Sequence, residues 1–121
     1  MRLPNAEQAV VAREKITRYL LALAHPQGGS KARFFTRFGF TIGRWEELAN
    51  ALLSLAINND AAEIEETEHG VKYVIVGAID APDGRNPLVR TVWQIDHGTE
   101  FPRLITARRE QHGSTEVCFK S

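Results

Sequence analysis

His25, Lys31 and Arg33 lie within nine residues of one another, around a glycine-containing link, Pro26-Gln27-Gly28-Gly29. Together they offer one proton carrier and two fixed cations. Imidazole can act as acid or base near neutrality, and Lys or Arg can stabilise the charge that develops on a phosphate. If a helix begins at Ser30, with its hydroxyl as N-cap, the free backbone N–H groups of the first turn also favour an anion there. This is the equipment needed to break RNA through its own 2′-hydroxyl. Each residue has a plainer reading as well: a histidine before proline closes a helix, and Lys31 and Arg33 serve as surface cations.

Other chemistries find no support in the spacing. The histidines, at 25, 69, 97 and 112, are scattered, and no two stand at metal-ligand spacing on a shared element. His69-Gly70 and His97-Gly98 read as hairpin-turn pairs. There is no phosphate-binding glycine loop, dinucleotide fingerprint, paired-cysteine motif or nucleophile elbow. The sequence therefore predicts neither a metal nor an organic cofactor.

Charge is balanced in total, with 15 basic and 15 acidic residues, but segregated along the chain. Residues 1–44 hold Arg2, Arg13, Lys15, Arg18, Lys31, Arg33, Arg37 and Arg44 against Glu7 and Glu14, while residues 45–70 hold seven acids and no Lys or Arg. Either the two blocks neutralise each other, or they face different partners: a phosphate backbone for the first, a basic protein for the second.

The elements that must position these groups read as helices first and strands after. Apolar residues at helical spacing predict helices over 6–23, 31–38 and 44–58, the first opened by a capping box from Asn5 to Gln8 and the second closed by Gly39. The period then changes to two, predicting strands over 62–68, 71–80, 88–96 and 103–109 joined by short turns, with a further short edge strand over 115–119. The expected fold is α+β: three N-terminal helices packed on a four- to five-stranded antiparallel β-meander. Residues 1–121 read as one domain, with 110–121 as an edge strand or a tail. Strict alternation places Arg90, Arg103 and Arg109, or Thr106 and Arg108, on an open sheet face able to receive an extended anion. Trp93 reads as a packed strand residue or as a base-stacking platform. The lone Cys118 fits a reducing, cytoplasmic setting, and the longest apolar stretch, 19–24, is far shorter than a membrane span.

Several motifs are familiar as a set: Leu3-Pro4-Asn5-Ala6, His25-Pro26-x-Gly28-x-x-Lys31-Ala32-x-Phe34-Phe35, Gly39-Phe40, Val92-Trp93 and Pro102-Arg103-Leu104-Ile105-Thr106-Ala107. Over residues 3–108 they resemble a bacterial domain family of unknown function, seen in small stand-alone proteins and at the C-termini of polymorphic toxins. The layout is also similar to the RelE and colicin-like ribonuclease toxins. That resemblance implies metal-independent RNA cleavage, with the active site on the sheet face and an adjoining helix. The family motifs touch His25, Lys31, Trp93, Arg103 and Thr106.

The functional expectation is a toxin-type ribonuclease. His25, Lys31 and Thr106 are its catalytic candidates, and Arg33, Arg90, Trp93, Arg103 and Arg108 would bind substrate. The competing expectation is an immunity- or antitoxin-like module that binds a basic partner through its acidic 46–68 span. A monomer and a homodimer are both compatible with the sequence.

Overall fold

A computed structural model describes residues 1–23 and 29–110. The helical segments precede the sheet. They comprise a 3-10 turn Ala6–Gln8, helix α1 (Arg13–Lys15) running into a π-helical turn Ile16–Leu20, helix α2 (Gly29–Arg37), a 3-10 turn Ile42–Arg44, and helix α3 (Trp45–Asn58). Strands β1 (Ala61–Thr67), β2 (Gly70–Ala78), β3 (Leu88–Asp96) and β4 (Arg103–Arg109) follow, forming an antiparallel sheet in the order β1-β2-β3-β4. The α+β meander of the sequence reading is present with four strands; the expected strand over 115–119 lies outside the described residues.

The first helix is not the continuous one expected. Residues after Gln8 leave helical geometry, and Val10 bridges Arg103 in parallel, its N–H donating to Pro102 O (2.8 Å) while Leu104 N–H donates back to Val10 O (3.0 Å). Adjacent β-branched Val10 and Val11 favour extended backbone, and the pairing covers part of an otherwise open strand edge. The capping box is absent too. Asn5 is left-handed (φ 55°), a conformation asparagine tolerates, and its Nδ2 reaches forward to Glu100 O (2.8 Å).

Helix α2 ends as expected at Gly39, whose φ of +103° suits glycine. Gly39 N–H donates to Thr36 O and Phe40 N–H to Phe35 O, closing a Schellman motif, and the Phe35 and Phe40 rings meet edge to face at 6.2 Å. Helix α3 buries Leu48, Ala49, Leu52, Leu55 and Ala56 in one core with Phe35, Tyr73, Ile75, Val89 and Trp93. Each large side chain fully enclosed in this way stabilises the fold by roughly 1.5–3 kcal/mol.

Strict alternation fails in β4. Val92 pairs with Thr106 but Trp93 pairs with Leu104, so Ile105 is an extra residue, a β-bulge. Leu104 and Ala107, three residues apart, are both buried. Thr106 and Arg108 share the face of Val92 and Arg90 instead of joining Leu104.

Candidate functional site

Helix α2 has a buried side, Ala32 and Phe35, and an exposed stripe, Ser30, Arg33 and Arg37, spaced at i, i+3 and i+7. The stripe lies beside the end of the edge strand β4, so that Ser30, Lys31, Arg33, Phe34 and Arg37 face Arg108 and Arg109 across a cleft of about 350 Å³. That volume is in the range of small-ligand clefts, roughly 300–1,000 Å³. Five of the seven lining residues are cations and none is an acid. Among the described residues, no ion pair engages the guanidinium of Arg33, Arg37, Arg108 or Arg109. Like charges held together without counter-charge raise the local potential and attract anions.

The C-terminal end of α2 is braced by the loop before β3. Arg85 donates to Arg37 O (3.1 Å), lies 4.2 Å from the Phe38 ring centroid and pairs with Asp83 at 2.6 Å. A cation at this end also complements the helix dipole. The stripe is therefore held by backbone and ring contacts rather than by its own side chains.

Lys31 borders the cleft and turns its ammonium to the π-helical turn, where it donates to the Tyr19 hydroxyl and stands 4.7 Å from the ring centroid. Lys15, one turn before Tyr19, lies 5.2 Å from the same ring. Leu21 N–H donates to Ile16 O, the wider π-type bond; Ile16, Leu20 and Leu21 are all buried while Tyr19 stays half-exposed. The hydrogen bond from Lys31 is the main cause that lowers the Tyr19 pKa below its ordinary value, against partial burial, which raises it. Thr106 Oγ1 is buried and makes no hydrogen bond of ordinary geometry, yet lies close enough to the Tyr19 hydroxyl to favour its phenolate.

The candidate residues named from sequence thus fall into separate places. Lys31, Arg33 and Arg108 share the cleft, and Thr106 adjoins it through Tyr19. His25 lies outside the described residues. Arg90 is paired with Glu63 (2.9 Å) and Arg103 with Asp96 (2.7 Å); neither lines the cleft, although Arg90 stands opposite Arg108 in the sheet. Trp93 is fully buried, its indole N–H donating to Thr91 Oγ1 (2.8 Å), so no face of the ring is open for stacking. Of the arginines read from sequence as a cationic sheet platform, Arg90 and Arg103 are neutralised by these pairs, while among the described residues no ion pair engages Arg108 or Arg109.

Of Arg37, Arg109 and Tyr19, sequence reasoning pointed only to Arg109, and to that on the open sheet face rather than in a cleft with α2. Arg37 follows from extending the cationic stripe of α2 by one turn. Tyr19 was counted among the apolar positions of a regular helix; the Lys15–Tyr19 spacing of four was the available signal.

A second cleft, about 390 Å³, lies between α3 and residues 78–82. Its lining includes Glu47 and Asp80 and no Lys or Arg, which disfavours a phosphate ligand. Among the described residues there is no group of three or more His, Cys, Asp or Glu placed to hold a metal ion, and no helix long and apolar enough to cross a membrane.

The family model described as "Domain of unknown function (DUF6883)" matches residues 2–110. The chain belongs to the DUF6883 family. The resemblance carried by the N-terminal, α2 and β4 motifs agrees with that membership. No curated protein matches this DUF6883 chain. Among solved structures, it is similar to a chain of the "Contact-dependent growth inhibition toxin - immunity protein complex from Klebsiella pneumoniae 342", with a TM-score of 0.67 and 15% identity over 84% of this chain and 99% of that one. At this identity the likeness establishes a shared fold.

Proposed function

We propose that this DUF6883 chain is a toxin-type domain that binds RNA in the α2–β4 cleft and cleaves it without a metal, through attack of the 2′-hydroxyl on its own phosphodiester. The observation that carries the reading is the acid-free cluster of Lys31, Arg33, Arg37, Arg108 and Arg109. A phosphodiester seated there would gain charge-assisted hydrogen bonds from several guanidinium groups, each suited to bidentate contact with phosphate oxygens. Lys31 stands where the cleft meets a polar phenol and would stabilise charge on the phosphorane. The shared fold with a chain of a toxin–immunity complex supports a toxin context for the family. His25, which precedes Pro26 in the sequence, is retained as a proton-transfer candidate.

The test is incubation of the purified protein with total bacterial RNA in EDTA, reading cleavage and end chemistry. The expected products carry 2′,3′-cyclic phosphate and 5′-hydroxyl ends. Lys31→Ala should lower the rate by about 10²–10³, the scale of losing one charge-stabilising group. Intact RNA at high protein concentration would overturn the reading.

One observation favours a second reading, an immunity-like module that captures a basic protein. Strand β1 is a sheet edge whose Glu63, Glu65 and Glu66 are all exposed. Charge reversal at these three would then abolish capture of a basic partner while RNA stays intact throughout.

A further inference from the structure

We propose that Tyr19 is the general acid of this site, giving its hydroxyl proton to the 5′-oxygen that leaves when RNA bound in the α2–β4 cleft is cleaved. This deepens the ribonuclease reading and rests on it. The hydroxyl is tied to the cleft through Lys31, which lines the cleft and donates to Tyr19. An oxygen that accepts from an ammonium still carries its own proton to donate, and the phenolate left behind stays paired with that ammonium. Lys15 and Lys31, 5.2 and 4.7 Å from the ring centroid, both favour the phenolate, as does the buried Thr106 hydroxyl. These contacts come from α1, α2 and β4 and converge on one phenol placed in a π-helical turn, a local geometry frequent at functional sites.

The step balances with RNA and water alone. The 2′-oxygen bonds to phosphorus and its proton leaves to solvent hydroxide. The bond from phosphorus to the 5′-oxygen breaks, and that oxygen takes the Tyr19 proton. A phenol is a far stronger acid than the ribose 5′-hydroxyl it forms, so the transfer runs downhill once the bond has broken. The phenolate then regains a proton from water.

The experiment compares two versions of one RNA oligonucleotide, spanning a bond that the wild-type protein cleaves in total RNA: one with the natural 5′-oxygen and one with bridging sulfur at that position. A thiolate leaves without protonation, so the sulfur substrate bypasses the acid. Tyr19→Phe should slow the natural substrate by about 10²–10⁴, the usual worth of a positioned acid, and the sulfur substrate by less than about tenfold. Tyr19→Gln, which offers Lys31 an acceptor but has no acidic proton to transfer, should give the same split and serves if the phenylalanine variant fails to fold. Equal losses on both substrates would overturn the assignment while leaving the ribonuclease reading intact. Absence of wild-type cleavage, in total RNA and on both oligonucleotides, would overturn the ribonuclease reading and this inference with it.

Discussion

Lys31 engages Tyr19 in two ways: its ammonium donates to the phenol hydroxyl and lies 4.7 Å from the ring centroid. The two residues belong to different helical segments, and the contact joins the basic cleft to a buried polar corner that ends at Thr106. Of the two, Lys31 lines the cleft and Tyr19 stands behind it.

The chain has two tyrosines, Tyr19 and Tyr73, the second buried in the sheet. In an ultraviolet difference titration, Tyr19 should ionise below the ordinary tyrosine range. Lys31→Ala should return it upward, because removing the donor and its charge disfavours the phenolate. An unchanged titration in that variant would show that Lys31 does not govern the phenol.

RNA affinity should fall with salt, and Arg33→Ala, Arg37→Ala, Arg108→Ala and Arg109→Ala should each reduce the slope of log affinity against log salt by about 0.7. Arg90→Ala and Arg103→Ala should change it less, since each guanidinium already holds a carboxylate. Filter binding across a salt series measures all six. Equal effects in both groups would move the anion site back to the open sheet face.

The Asp96 carboxyl is held down to about 2, first by the hydrogen bond from Arg103 and then by that from Gln94. A carboxyl depressed in the folded state contributes stability above its unfolded value near 3.8 and loses it as pH falls toward 2. Thermal melts of Asp96→Asn should therefore be flatter than wild type between about pH 4 and pH 2 and differ least at the acid end.

Gly39→Ala should destabilise by about 1–2 kcal/mol, the cost of a left-handed residue with a side chain, aggravated by Pro82 Cβ 3.2 Å from the new methyl. Trp93→Ala should lose about 3–5 kcal/mol through the cavity it opens. Urea unfolding reads both. Trp93→Phe should leave RNA binding unchanged if the indole acts only within the core.

Strands β3 and β4 coincide with the sequence-predicted 88–96 and 103–109 because their signals are local: a period of two, bounded by Pro87, Gly98 and Pro102. Helix α3 was legible for the same reason, from apolar spacing ended by Asn59. What escaped was whatever depends on partners distant in sequence. The extended stretch around Val10 exists because β4 offers it a pairing edge, and Arg90 and Glu63 meet only through the register of three strands, 27 residues apart. Of the cleft, the α2 half was readable as a cationic stripe. Its juxtaposition with Arg108 and Arg109 was not, because sequence alone does not say that α2 lies along β4.

The extra residue in β4 has a further bearing on how this site can vary. Up to Leu104 the strand keeps one parity of inward and outward positions, and beyond Ile105 it keeps the other. Removing Ile105 would leave Leu104 opposite Trp93 and Thr106 opposite Val92, so Ala107 would stay on the interior side and Arg108 on the side of Arg90, with only the local kink of the bulge lost. The bulge thus fits a strand whose buried Leu104 and Ala107 stand three apart to a ladder with a period of two, and losing it would change the bend of β4 while keeping which side chains face the core and which face the rim.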